Sequence, residues 1–568
     1  MLEKFSEDFL LPVFRTVVPD FLKNDIIIEF NKKNFGDFSV PTCLKIGKKS
    51  QKNPLEIAEK IKNLLLGKND IKKQISKIEI IKPGFLNFFW NTDFLAEKIL
   101  KFDHKKIKKN MKKQKIVIDF SHPNIAKPLH FGHFRSTVIG ESLVRILRFC
   151  GAEVWADNFL GDWGTQFGKL IVGIEKWGNE KKISENPIQE LFRIYQKFYT
   201  ETQKNSELEK LGAKKFADLE KNRHPEILKK WQWIVDESLK ELKKFYKKIN
   251  ANFDSIRGES FFEKFSQQTI KFLEEKKIIK NDNGAKVAFL EKENLPPVIF
   301  LRSDGATLYQ TRDISRILFY LQKNFTKFVY VVGADQKLYF QQISAVCKKI
   351  ESKIDIKHAE FGLVKLAQGK MSSRAGVTIS VNEVLQIAEK KIEEKMTQKN
   401  SSVTGKNREK LRQILSIGAL KFNDLSQNRK TDIQFDWKKM TNFEGFSGPF
   451  CQYSVVRIRS IFRKIKDEKI DFILPKKIFF SDETEINLVK KILLFPEIIK
   501  KTSENLLPHF LANFVFELAG EFNKFYNKVP ILKSEKKIRN IRLFLTSKTE
   551  EILSLSLNLL GIEIPEKM

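Results

Sequence analysis

Residues 121–134 read SHPNIAKPLHFGHF and place His122, His130 and His133 close to Lys127, Gly132 and two prolines. Such a set is open to several chemistries. Three imidazoles can begin a zinc site, but Pro123 and Pro128 restrict the loop, and no neighbouring cysteine or glutamate completes a familiar ligand spacing. A histidine acid or base is a second option, yet no serine or cysteine nucleophile elbow accompanies it. The three can also be ordinary loop and helix-start residues. Phosphate binding agrees best with the surroundings. IVIDF (116–120) reads as a short apolar strand, and GHFRSTVIGESLVRILRFCG (132–151) has helical spacing and stops at Gly151. The loop between them therefore opens a helix, whose first N–H groups and partial positive charge attract anions. His130 and His133 can add ring N–H donors, Gly132 lets a phosphate approach the backbone, and Lys127 adds a cation.

The same alternation continues downstream. AEVWADNFLGDWG (152–164) opens as a strand and ends in a glycine-rich turn, where NFLGDWGTQFG (158–168) suits tight turning and packing better than direct catalysis. VIFLRSDG (298–305), KFVYVVGADQ (327–336) and HAEFGLVKL (358–366) read as further strands, with helices at 311–324 and 341–350. Strands alternating with helices predict a doubly wound parallel sheet that binds its ligand at the strands' carboxyl ends. Residues 185–250 are polar and helical and read as an insertion. A small α+β module precedes the sheet, with a helix at 52–65 and a strand at 84–90. From about residue 405 the pattern is helical, at 408–425, 450–465, 485–506, 509–526 and 541–560. These patterns predict an N-terminal domain over 1–95, a basic linker over 96–114 and a catalytic domain over 115–404 with its insertion near 176–255. A helical stem over 405–444 and an all-α bundle over 445–568 complete the multidomain α/β chain.

The formal net charge of +33 favours polyanionic partners, although lysine is abundant throughout and a biased composition gives the same number. Cys43, Cys150, Cys347 and Cys451 form no C-x-x-C pair, which indicates reduced thiols and a cytoplasmic location rather than a disulfide framework or zinc ribbon. MLEKFSEDFLLPVF does not read as a signal peptide, and no apolar run is long enough for a membrane span.

H-F-G-H after a strand resembles the first signature of class I aminoacyl-tRNA synthetases and related nucleotidyltransferases. KMSSR (370–374) stands where their second signature, K-M-S-K-S, is expected. The words SHPNIAKPLHFGHFRSTVIGESL, NFLGDWGTQFGKL, DGATLYQTRDISRI, VVGADQKLYFQQI and GPFCQYSVVRIRSIFRK narrow this further. With NPLEIAEKI and GFLNFF near the start and LLGIEIPEKM at the end, they resemble arginyl-tRNA synthetases over nearly the whole chain.

The resemblance implies a ligase that joins L-arginine to ATP as arginyl-adenylate and passes it to the 2′-hydroxyl of the terminal adenosine of tRNA-Arg. It implies ATP with magnesium, no structural zinc and a monomer. Catalysis would rest on His130, His133 and Lys127. ATP would meet His130, Gly132, His133, Lys370, Met371, Ser372, Ser373 and Arg374. The family's usual second signature lysine falls on Ser373; Lys127 matches the residue that substitutes for it, and Arg374 can assist. His122 stands where the family often has serine, which leaves its role open. A guanidinium substrate needs planar anionic acceptors. Tyr309 and Asp313, four apart near a helix start, can point the same way, and Glu259 is a second carboxylate. Asn124 and Gln336 match residues that hold the substrate's α-amino and carboxylate end. Phe85 and Asn87 would meet the tRNA D-loop, and the bundle's Tyr453, Arg457, Arg459 and Met568 the anticodon region. The alternatives are a non-catalytic RNA-binding paralogue and another class I nucleotidyltransferase or synthetase. The retained loops argue against the first, and the arginine-type words around Asp313 and the N-terminal module against the second.

Overall fold

Lys115–Asp119 (β1), Glu153–Leu160 (β2), Ser255–Gly258 (β3), Lys327–Tyr330 (β4) and Asp355–His358 (β5) pair in parallel in the order β5-β4-β1-β2-β3. They belong to a computed structural model that describes all residues except 31–34, 110, 221–223, 367–368, 371–379 and 400–402. The central strand β1 is covered on both faces, which is why Ile116, Val117 and Ile118 form an unbroken apolar run and are buried. Helix α1 (Phe131–Phe149) returns the chain from β1 to β2. The insertion between β2 and β3 includes α2 (Pro187–Thr202), the helix Glu207–Glu220 and α3 (Pro225–Lys248). Helices α4 (Tyr309–Leu321) and α5 (Lys337–Ile350) pack Ile314, Ile317, Phe340 and Val346 into a core with Val117 and Phe328. α6 (Val381–Gln398) and α7 (Gly405–Leu425) follow. The strand order reverses at β1, so the crevice beyond the carboxyl ends of β1 and β4 is the sheet's topological switch point.

Three expected elements differ. The apolar run Val298–Leu301 does not join the parallel sheet; it pairs antiparallel with Ala285–Ala288 in a separate three-stranded sheet. The strand expected over 358–366 is two pieces, because β5 ends at His358 and Val364–Leu366 belongs to another small sheet with Gly369–Lys370 and Ile433–Phe435. The helix expected over 485–506 is also two, Glu483–Leu493 and Phe495–Asn505, since Pro496 cannot donate to a continuing helix.

Contacts divide the chain into two units. One comprises 1–107, 453–501 and 513–556; the other comprises 108–452, 502–512 and 557–568 and includes the parallel sheet. The first unit holds an antiparallel sheet of Glu29–Phe30, Phe38–Val40, Phe85–Trp90 and Ile75–Ile81, in that order. Phe38 and Phe88 stack at 4.8 Å beneath Phe5, and the remaining mass of this unit is helical. Among the described residues, no helix is long and apolar enough to cross a membrane.

Candidate active site

The loop from β1 to α1 bends through three non-glycine residues with positive φ: Ser121 at 81°, His122 at 48° and Ala126 at 61°. Left-handed backbone is unfavourable for such residues and persists only where surrounding bonds impose it. Ser121 N donates to Ser136 Oγ at 2.9 Å, Thr137 Oγ1 donates to Ser121 Oγ at 2.9 Å, and Ser121 Oγ meets Tyr246 Oη of α3 at 2.9 Å. Asn158 at the end of β2 donates to the same Tyr246 oxygen at 2.9 Å, and Ala126 N donates to Ser238 Oγ at 3.3 Å. The insertion helix α3 therefore holds the loop from behind.

At the loop's end, the two signature histidines cap α1 reciprocally. Gly132 N donates to His130 Nδ1 at 3.1 Å, and His130 N donates to His133 Nδ1 at 3.2 Å. Burial lowers both imidazole pKa values, that of His133 to about 3 with help from the neighbouring rings. Both rings are thus neutral at physiological pH. A ring nitrogen that accepts a hydrogen bond carries no proton, so the single proton of each sits on Nε2. The loop presents two oriented Nε2–H donors, with ring centroids 3.7 Å apart, at a helix N-terminus. A Cβ on residue 132 would lie 2.9 Å from the His130 ring, so glycine is needed to seat that imidazole. Ser380, at the start of α6, forms a β-bridge to His130. Lys127 is half-buried, its ammonium lies 4.8 Å from the Tyr195 ring centre on α2, and burial lowers its pKa. Lys370 pairs through its backbone with Lys365, while Met371, Ser372, Ser373 and Arg374 lie outside the described residues.

Strand register creates a second polar group that the sequence does not announce. His358, Tyr330, Asp119, Asp157 and Ser255 stand side by side across all five strands. Arg316 of α4 reaches this row, bonding Asp119 and lying 3.7 Å from Asp157. One turn earlier on α4 stands Asp313, which is buried and accepts a hydrogen bond from Tyr339 of α5. Burial raises the Asp313 pKa, and the Arg316 charge opposes that rise. Tyr309 is exposed and its ring lies 5.1 Å from that of Tyr339. Gln336, just before α5, is exposed as well. His122 lies 3.6 Å from Asp119 through Nδ1, and burial lowers its pKa to about 4, so it too is neutral. Asn124 crosses Gly161 at the end of β2; a Cβ there would come within 2.1 Å of the Asn124 side chain.

Glu259 follows β3 directly. Arg312 Nε donates to its Oε2 at 2.8 Å, and Arg312 Nη1 also bonds Glu263 at 2.9 Å. Burial, with Asp313 and Asp162 as nearby negative charges, pushes Glu259 up to about 7 against the lowering pull of Arg312. Asp162, from the glycine-rich turn, accepts from Ser260 N at 2.9 Å and Ser260 Oγ at 2.6 Å and so fixes the turn that carries Glu259. The turn's polar residue is a support for the pocket. Asp119, Asp157 and Tyr339 were not singled out in the sequence, and Arg316 entered only as a possible salt-bridge partner of Asp313, from which it lies 4.0 Å. The one available signal was Asp119, a carboxylate closing an otherwise apolar strand. Among the described residues, no group of histidine, cysteine, aspartate or glutamate is arranged to hold a metal ion.

The other expected contact residues are spread over both units. Phe85 is half-buried in the N-terminal sheet, and Asn87 is 2 % exposed with its amide oxygen bonded by Ser39. Tyr453 and Arg457 share one helix, the guanidinium 4.7 Å from the tyrosine ring, and Arg457 also bonds Asn523. Arg459 pairs with Glu550 at 2.9 Å. Met568 packs against Ile392, Met396, Leu411 and Leu415 in the sheet-bearing unit.

Three family models match along the chain. Residues 7–90 match the arginyl tRNA synthetase N terminal domain, 96–437 the catalytic domain of tRNA synthetases class I (R), and 451–568 the DALR anticodon binding domain. An arginine–tRNA ligase of Halothermothrix orenii is 40% identical, with 94% of each chain covered, and one of Fusobacterium nucleatum is 37% identical over 100% of both. The arginyl-tRNA synthetase structure of Plasmodium falciparum superposes with a TM-score of 0.80 at 26% identity, covering 100% of this chain and 99% of that one. That of Thermus thermophilus has a TM-score of 0.83 at 21% identity, with 100% of both chains covered, a likeness of fold. With a paired-histidine helix cap at the switch point of a parallel sheet, and models matching from end to end, this chain belongs to the arginine–tRNA ligase family of class I synthetases.

Proposed function

We propose that the chain activates L-arginine with ATP, supplied as its magnesium complex, and transfers the arginyl group to the 2′-hydroxyl of the terminal adenosine of tRNA-Arg. The observation that carries this reading is the histidine pair, whose two Nε2–H groups at the head of α1 are fixed by main-chain bonds to their Nδ1 atoms. Donors that need no reorientation stabilise charge as it spreads onto phosphate oxygens during adenylate formation. Lys127 supplies the mobile cation that Ser373 cannot, moving from the Tyr195 face toward the phosphates; Lys370, Met371, Ser372, Ser373 and Arg374 contribute to ATP binding. Asp313 and Glu259 accept the substrate guanidinium, and Tyr309 packs along it. Asn124 and Gln336 hold its α-amino and carboxylate end. The N-terminal domain (1–95) and the bundle (445–568) grip tRNA through Phe85, Asn87, Tyr453, Arg457, Arg459 and the Met568 end, joined to the catalytic domain by the linker (96–114) and stem (405–444). We read the enzyme as a cytoplasmic monomer; its four cysteines are buried and unpaired.

Charging of purified tRNA with a panel of amino acids tests the reading. Arginine is accepted, whereas lysine and citrulline are rejected by about a hundredfold or more, because lysine lacks the planar fork and citrulline the charge. Equal charging of any other amino acid, or no charging of arginine with tRNA present, contradicts it. The resemblance implies that arginine is activated only with tRNA bound, so pyrophosphate exchange is measured with tRNA added.

A further inference from the structure

Arg316 is a guanidinium sealed beneath a site that we read as built for a guanidinium. Its side chain is 2% exposed, and it faces three carboxylates: Asp119, which it bonds, Asp157 at 3.7 Å and Asp313 at 4.0 Å. The Phe159 ring lies 4.4 Å and the Tyr330 ring 5.2 Å from its central carbon, so the plane is held on its faces as well as at its edge. Asp119 and Asp157 are neighbours on adjacent central strands and are both fully buried. Two buried carboxylates at that spacing cannot both stay ionised without a cation.

We infer that Arg316 is a positioning residue of the arginine pocket: it takes up the two sheet carboxylates and thereby leaves Asp313 oriented and unengaged for the substrate. The inference rests on the reading of Asp313 as the substrate's acceptor. Three features support it. Asp313 receives a hydrogen bond on Oδ2 from Tyr339, while its Oδ1 stays 4.0 Å from Arg316, an ion-pair distance beyond hydrogen-bond reach. Asp119 Oδ1 and His122 Nε2 are buried without a hydrogen-bond partner, and Arg316 Nη1 and Asp157 Oδ2 meet only as an ion pair at 3.7 Å, so this polar layer is incompletely bonded. The group counts three carboxylates against one resident guanidinium, so an incoming cation improves its balance whereas a neutral isostere does not. The Arg316 charge also works against the burial that would protonate Asp313.

The test is steady-state aminoacylation with the full chain and tRNA, comparing Arg316→Met, Asp119→Asn/Arg316→Met and Asp313→Asn. Removing Arg316 alone should raise the KM for arginine by about tenfold or more, with kcat and the KM for ATP within about threefold. Adding Asp119→Asn should return the arginine KM most of the way, because it removes one of the two sheet carboxylates left without Arg316, the one that Arg316 bonds. A lowered kcat and melting temperature with an unmoved arginine KM would mean that Arg316 is only structural and would overturn the inference. Failure of the double variant to recover would overturn it as well. If Arg316→Met does not fold, Arg316→Lys carries the same test, since a point charge cannot span both carboxylates; a raised arginine KM supports the inference and an unchanged one sinks it. An unchanged arginine KM in Asp313→Asn refutes the pocket reading itself, a result distinct from all of these.

Discussion

His130 and His133 owe their chemistry to two main-chain N–H groups. By donating to the Nδ1 atoms, Gly132 and His130 settle which nitrogen of each ring carries the proton. Burial lowers both pKa values, that of His133 to about 3, so acidification toward pH 6 should not charge His133. Glu259 behaves differently. Its folded-state pKa of about 7 means that it is protonated below that pH, and a protonated carboxyl is a poor acceptor for a guanidinium. The arginine KM should therefore rise as pH falls from 8 to 6, and Glu259→Gln should flatten that dependence while raising KM throughout. An arginine KM independent of pH in the parent enzyme removes Glu259 from the pocket. At this scale the proposed roles of His130, His133, Lys127, Tyr309 and Asp313 start from the sequence, since each sits in a local word with its own spacing. Those of Arg316 and Asp119 do not: the two residues are 197 positions apart, and only strand register and helix packing bring them together.

The elements that position these residues are short strands and one strained loop. The loop's left-handed residues are serine, histidine and alanine, none of which signals positive φ in sequence, so its geometry could be seen only with Tyr246 and Ser136 in place. Tyr246→Phe tests that support. It strips Asn158 of a buried acceptor and Ser121 of its partner, and should cost about 1–3 kcal/mol in urea unfolding together with a fall in kcat/KM for ATP. An unchanged unfolding midpoint would show that the loop does not depend on α3. The parallel strands were largely legible from their apolar runs, as at β1 and β4. The edge strand β3 was not, because four residues reading SIRG carry no run and need none, having one neighbour only. Val298–Leu301 misled for the opposite reason: an apolar run does not say which sheet a segment joins, and here Ile299 is exposed.

Across the whole molecule, a net charge of +33 and family models spanning three successive regions agree with an RNA partner. The order of the regions and the helical character of the C-terminal part could be read from periodicity. Burial could not, and Asn87 shows why: Leu86, Asn87 and Phe88 are all buried in succession, so a polar amide lies inside where an alternating strand would have exposed every second residue. On the proposed reading, the reaction takes place at the sheet's switch point, beyond the carboxyl ends of β1 and β4. The most direct measurement is a crystal structure with arginine, tRNA and a non-hydrolysable ATP analogue bound. Both Nε2 atoms of His130 and His133 should lie within hydrogen-bond reach of phosphate oxygens, with the arginine carboxylate facing the α-phosphorus. Imidazoles turned away from the occupied crevice, or bound to zinc, would contradict the account.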